Sequence, residues 1–151
     1  MSYTTKKQII QGFKAICRKD LTDEAEHCQL INDLINCGLL QGRSLEQMKK
    51  NRTYSLRNQK FYAYAHNLDF VKAQKWADKA YDWEQETMAH CMDNSDECYS
   101  TTCSKDAFGN DTFNHQGTGD KGFKGICDSL MFKYNYRNDL LKQLKLVLQI
   151  M

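Results

Sequence analysis

The sequence contains no proline, and only 8 of its 151 residues are glycine. Proline interrupts helix interiors and stiffens turns, so its absence permits long helices. It also leaves glycine, asparagine, aspartate and serine to build the loops. Because the commonest helix breaker is missing, the sequence is compatible with long amphipathic helices.

Long apolar runs are missing as well. No run approaches the ~18 residues that a membrane-spanning helix requires, and no apolar signal-peptide core follows the polar residues 1–7. A hydrophobic content of 41% argues against disorder, and the length fits one domain over residues 1–151. We therefore expect a single-domain cytoplasmic protein that does not contact a membrane. Its seven cysteines, an odd number, are expected to be reduced.

Apolar residues recur with the 3.6-residue period of an amphipathic helix along most of the chain. Thr4 or Thr5 is a suitable N-cap for the first helix. Ser44 and Gln47 form a capping-box pattern, and the poor helix formers at 51–53 predict a break or kink. The fold class is therefore all-α, a bundle of five or six helices. The predicted helical segments are approximately 4–17, 20–37, 44–66, 69–92, 123–134 and 140–151.

Residues 104–122 depart from this pattern. They are rich in glycine, asparagine and aspartate, which are typical of turns and loops. Connections this long are uncommon in a compact domain unless they are functional, disordered or tied down. We expect an irregular Gly/Asn-rich insertion here, and a short hairpin around residues 108–113 fits its composition.

A cluster of metal-ligand residue types lies near this insertion. Four cysteines fall within the 37 residues from Cys91 to Cys127, which also contain His115 and directly follow His90. Thiolate and imidazole groups hold tetrahedral zinc, and a structural zinc ion would stabilise a loop-rich segment. Only one of the gaps approaches the usual ligand spacing, and packed thiols or disulfides are the alternatives. The candidate ligands are Cys91, Cys98, Cys103 and His115.

Acidic residues are concentrated between positions 82 and 97. This segment holds six carboxylates and no lysine or arginine. Such a local field steers basic partners or is simply solvated, and it repels nucleic acid. We predict that these acids form a protein-binding surface made of Asp82, Glu84, Glu86, Asp93, Asp96 and Glu97.

Basic and aromatic residues alternate between positions 43 and 66. Six cations there oppose one acid, Glu46. Lysine and arginine contact phosphates, and aromatic rings stack on unpaired bases, so the stretch is a candidate nucleic-acid surface. The alternative is a solvated helix face whose aromatic rings point into the core. The candidate contacts are Lys49, Lys50, Arg52, Tyr54, Arg57 and Lys60.

No arrangement of nucleophile, base and acid in the sequence is typical of an enzyme. We therefore predict a small intracellular helical protein that binds another protein as a regulator, adaptor or inhibitor. Inhibitors encoded by phages and mobile elements are an analogy for such a chain. A homodimer is a further option, because the oppositely charged segments can pair across two copies. The alternatives are a nucleic-acid-binding protein and an enzyme whose site the sequence does not reveal.

Overall fold

The computed structural model describes the backbone of residues 3–93, 99–105, 111–118 and 120–151, and the side chains of residues 5–92 and 124–151. Within these ranges the chain forms four helices and one two-stranded sheet. The all-α class is confirmed, whereas the predicted number of five or six helices is slightly too high. The elements are α1 (Tyr3–Asn36), α2 (Gly42–His66), α3 (Phe70–Asp93), β1 (Tyr99–Lys105), β2 (Asp111–Thr118) and α4 (Asp120–Ile150).

Helix α1 joins the first two predicted helices into 34 residues. A break was expected near Asp20, but buried side chains continue in helical phase on both sides of it. Because no glycine or proline interrupts residues 13–36, the backbone has no reason to leave the helix there. Thr4 and Thr5 lie inside α1 and do not cap it. The buried residues of α1 are Phe13, Cys17, Glu24, Cys28 and Ile31.

Helix α4 likewise joins the two closing helices predicted by the sequence. The polar residues around 135–139 suggested a break. Arg137 is nevertheless buried and continues the stripe formed by Leu130, Leu141 and Leu144. These positions repeat at intervals of three, four and seven residues, so one side of a single continuous helix carries them.

The ends of α2 and α3 show which capping signals were correct. The N-cap of α2 is Gln41, which makes no side-chain capping hydrogen bond, so the Ser44–Gln47 capping box is wrong. The expected start of α3 is confirmed, because Asp69 Oδ1 accepts a hydrogen bond from the Lys72 backbone N–H at 3.1 Å. Between the two helices, Leu68 has a φ of 59°, a left-handed conformation rare outside glycine.

The chain between α3 and α4 contains an antiparallel hairpin. Strands β1 and β2 pair in a register that places Lys105 opposite Asp111 and Thr102 opposite Asn114. These strands contain seven and eight residues, so the hairpin is longer than the short one predicted around residues 108–113. The predicted irregular insertion at 104–122 therefore includes all of β2, while residues 106–110 and 119 lie outside the described part of the chain.

The chain divides into two compact units, residues 1–81 with 137–151 and residues 82–136. In the first unit α1 packs against α2. Ser55 Oγ donates a hydrogen bond to the Glu24 carbonyl at 3.3 Å, and Arg52 Nη1 donates to Asn32 Oδ1 at 3.2 Å. As the residue number on α1 rises from 24 to 32, that of its partner on α2 falls from 55 to 52, so the helices run antiparallel. None of the helices in the described ranges is long and apolar enough to cross a membrane.

Candidate functional site

The predicted zinc ligands are only partly described. Cys91 is buried on α3. Cys103 pairs with Phe113 across the hairpin and His115 pairs with Thr101, so these two ligands are two positions apart in register. Cys98 lies outside the described residues. Among the residues whose side chains are described, no group of three His, Cys, Asp or Glu is placed to hold a metal ion. The structural zinc site stays a prediction.

The predicted acidic surface loses one of its members. Asp82 and Glu86 are exposed on α3, but Glu84 is fully buried. Position 84 continues the buried stripe of Ala77 and Ala80 at intervals of three and four residues, so the helical period turns it inward. Glu84 is therefore not a surface contact. Asp96 and Glu97 and the side chain of Asp93 lie outside the described residues.

The predicted basic stretch is also changed by the structure. The ring of Tyr54 is buried and cannot stack on a base. Arg52 donates to Asn32, and Arg57 Nη1 donates to the Lys79 carbonyl at 2.8 Å, so both guanidinium groups connect helices. Lys49 and Lys50 are exposed, as expected for solvated or ligand-binding cations.

Lys60 belongs to a different cationic group, centred on Trp76 of α3. Its Nζ lies 5.5 Å from the centroid of the Trp76 ring, and those of Lys75 and Lys79 lie at 6.0 and 4.4 Å. A fourth ammonium, that of Lys72, lies 5.4 Å from the Tyr64 ring centroid. We call this group the Lys–Trp surface, and its members are Lys60, Tyr64, Lys72, Lys75, Trp76 and Lys79.

The Lys–Trp surface is built by the antiparallel packing of α2 and α3. Arg57 reaches Lys79, Lys60 reaches Trp76, and Lys72 reaches Tyr64. Successive contacts are three or four residues apart, or about 5 Å along each helix. On α3, the three lysines and Trp76 fall within about 100° of arc. The basic stretch predicted from the sequence ends at His66, so it does not include the α3 residues of this surface. The sequence did contain a signal for them, because lysines lie three and four residues apart around Trp76.

A second exposed feature runs along α1. Ile9, Ile16, Leu30 and Leu34 are 39%, 44%, 63% and 48% exposed. Because successive residues of an α-helix are rotated by 100°, these four residues fall within about 60° of arc around the axis of α1. The centre of this arc lies roughly a quarter turn from the centre of the buried side of the helix. The side of α1 that carries Arg18 and Asn32 faces α2, so this apolar stripe points away from α2. We call it the outer face of α1.

The charges of α1 are divided between its two halves. The first half, through Lys19, carries five cations and no acid, and the second half carries five acids and no lysine or arginine. The cations are Lys6, Lys7, Lys14, Arg18 and Lys19, and the acids are Asp20, Asp23, Glu24, Glu26 and Asp33. All of these acids except Glu24 retain solvent exposure. The helix therefore has a strong charge asymmetry along its length.

The polar residues at the centre of the first unit serve packing. Ser55, Asn58 and Arg137 are each 1% exposed. Arg137 Nη1 donates to Asn58 Oδ1 at 3.2 Å, and Asn58 Nδ2 donates to the Tyr54 carbonyl at 3.2 Å. Since the Ser55 hydroxyl donates to a main-chain carbonyl inside the core, it is not presented to a substrate as an activated nucleophile. This cluster connects α1, α2 and α4.

Cys17 is fully buried in the first unit. Burial raises the pKa of its thiol to about 12, from an ordinary value of 9.0, and the nearby Asp20 carboxylate adds to the shift. Because the thiolate is the reactive form, we expect iodoacetamide at pH 8 to leave Cys17 unmodified in the folded protein. The exposed Cys37 should be alkylated at once. Peptide mass mapping before and after addition of urea measures both reactions.

The raised pKa of the Cys17 thiol also makes the free energy of unfolding depend on pH. A raised pKa means that the folded protein holds this proton more tightly than the unfolded chain. The stabilisation is complete below pH 9 and is lost as the pH rises from 9 toward 12. A Cys17→Ala variant should lose this pH dependence. Rapid alkylation of Cys17 in the folded protein would contradict the buried, neutral thiol.

No protein-family model matches this sequence, and neither the curated proteins nor the solved structures compared with it include a significant match. The chemistry of the Lys–Trp surface and of the outer face of α1 therefore carries the functional assignment.

Proposed function

We propose that this protein is a small helical binding protein that works through contacts with protein and not through catalytic turnover. The outer face of α1 is its contact surface, and a second copy of the chain is the partner that best fits that face. A dimer of this kind suits a regulator, adaptor or inhibitor, which acts by occupying the surface of another protein.

The observation that carries the proposal is the apolar stripe on α1. Isolated exposed leucines are common on protein surfaces and need no explanation. Here four large aliphatic side chains, each at least 39% exposed, share one side of one helix across 26 residues. They form two pairs, Ile9 with Ile16 and Leu30 with Leu34, and the same side carries Asp23 and His27 between the pairs. An amphipathic helix with two apolar sides, one of them already buried, has a second side available for another helix.

The charge asymmetry of α1 favours an antiparallel second copy as the partner. In an arrangement that places Ile9 opposite Leu34 of the second copy, Ile16 lies within about one helical turn of Leu30 of that copy. The basic half of each helix then lies beside the acidic half of the other, whereas a parallel pair would place like charges together. Such a contact is isologous, since the same patch is used by both copies, as in most homodimers.

The oligomeric state in solution tests the proposal. Sedimentation velocity at 150 mM salt, over a range of protein concentrations, should show a species of twice the 17.6 kDa monomer mass. The variant Leu30→Asn/Leu34→Asn should be monomeric over the same range, because it places two amides in the apolar contact. Lower salt should strengthen the wild-type dimer, since the opposed charges are then less screened.

A matched control separates the outer face of α1 from general loss of surface hydrophobicity. Leu56 on α2 and Val71 on α3 are 47% and 79% exposed and lie on other helices. The variant Leu56→Asn/Val71→Asn removes two exposed aliphatic side chains and should remain dimeric. A monomeric wild-type protein at every concentration, or equal weakening by the two double variants, would overturn the proposal.

A further inference from the structure

We infer that the Lys–Trp surface is a binding site for single-stranded nucleic acid. This inference goes beyond the proposed protein contact and uses a different face of the chain, formed by α2 and α3. It rests on three observations: convergent ammonium groups, aromatic rings placed among them, and carboxylates held away from both.

The three ammonium groups around Trp76 repel one another. Each lies no more than 6.0 Å from the same ring centroid, so any two are within twice that distance. This separation is comparable to the Debye length of about 8 Å at physiological ionic strength, and screening is therefore incomplete. Within the described residues, no carboxylate lies within ion-pair distance of these lysines or of Lys72. An anionic ligand would relieve the repulsion.

Two acidic groups near this surface, Asp69 just before α3 and Asp78 within it, have other roles. The Asp69 carboxylate caps the helix by accepting from the Lys72 backbone N–H. Asp78 accepts a hydrogen bond from Gln74 Nε2 at 3.0 Å and lies about 160° around α3 from Trp76. The Lys–Trp surface thus keeps its positive charge, and Arg57, joined to the Lys79 carbonyl, adds a further cation beside it.

The aromatic rings favour nucleic acid over other anions. Trp76 and Tyr64 are half-buried, each with part of its surface accessible, and the lysines beside them make cation–π contacts with the rings. A single strand carries phosphates that the lysines can bind and unstacked bases that can stack on the rings. Each ammonium group can therefore leave its aromatic ring and bind a phosphate, which frees the ring to stack on a base. Duplex DNA keeps its bases stacked and offers only the phosphates. The carboxylates of an acidic protein would pair with the lysines but would not stack on the aromatic rings.

Fluorescence anisotropy with fluorescein-labelled (dT)20 tests the inference on the full-length protein. We expect binding at 50 mM salt with a log K that falls by about 3 per tenfold increase in salt, as four neutralised phosphates predict at about 0.7 each. Trp76→Leu should weaken binding by about 5- to 150-fold, the range observed for removal of one stacking ring, and Trp76→Phe should restore part of it.

Two charge variants provide the matched comparison. Lys60→Gln/Lys72→Gln/Lys75→Gln/Lys79→Gln should abolish measurable binding. Lys6→Gln/Lys7→Gln/Lys49→Gln/Lys50→Gln removes the same charge from exposed lysines elsewhere and should bind within about threefold of wild type, because the cations close to the strand dominate. In a Trp83→Phe background Trp76 is the remaining tryptophan of the chain, and (dT)20 should quench its fluorescence.

Each of the following three results would overturn the inference. Failure to bind (dT)20 at 50 mM salt excludes the site. Equal loss in the two quadruple variants shows attraction to total charge only. If polyglutamate of equal charge competes as well as (dT)20 and Trp76→Leu has no effect, the surface serves an acidic protein. The monomeric variant Leu30→Asn/Leu34→Asn should still bind (dT)20, so failure of the α1 contact and failure of the Lys–Trp surface are distinguishable.

Discussion

Replacing Arg137 with alanine should lower the free energy of unfolding by about 3–5 kcal/mol, a large fraction of the total for a chain of this size. The side chain is 1% exposed, and its Nη1 donates to Asn58 Oδ1 at 3.2 Å. The alanine variant would leave the Asn58 oxygen buried without this donor and would also leave a cavity in the volume of the guanidinium group. Urea unfolding followed by circular dichroism measures the change.

Three variants identify the cause of that loss. Arg137→Lys keeps a charge but shortens the reach to Asn58, and it should still cost more than about 1 kcal/mol. Arg137→Met/Asn58→Leu replaces both partners by apolar groups of similar size and should recover part of the stability lost in either single variant. Lys142→Ala on the exposed side of α4 should change stability by less than about 0.5 kcal/mol. A loss below about 1 kcal/mol for Arg137→Ala would show that the buried contact is unimportant.

Arg137 also explains why the helix count could not be obtained from the sequence. Apolar periodicity correctly located α3, whose stripe is made of alanines and whose start is marked by Asp69. In α4 one turn of the buried stripe is Arg137, which falls between the predicted segments 123–134 and 140–151. A charged residue in an apolar stripe resembles a break between two helices when only hydrophobicity is considered. In the structure this arginine is buried and donates a hydrogen bond to Asn58 of α2.

The functional surfaces, like the helices, could be predicted from the sequence only in part. Charge segregation along the chain was visible, but the direction of each side chain depends on helical phase, which is why Glu84 is buried and Asp82 is exposed. The Lys–Trp surface combines residues from α2 and α3 and depends on their antiparallel packing. Lys60 and Trp76 are 16 residues apart in sequence, and sequence spacing alone does not show that they meet. A surface shared by two helices requires their register to be known.

Phe61→Ala should destabilise the protein by about 3–5 kcal/mol, because Phe61 is fully buried and its removal opens a cavity at the centre of the first unit. Its ring centroid lies 5.4 Å from that of Tyr62, at an interplanar angle of 56°, so the variant also loses a tilted aromatic pair. Phe61→Leu fills most of the volume and should cost about half as much or less. Leu56→Ala, on the same helix but 47% exposed, should cost less than about 1 kcal/mol. Urea unfolding of the four proteins makes the comparison, and equal losses at positions 56 and 61 would show that α2 does not bury Phe61 in the folded chain.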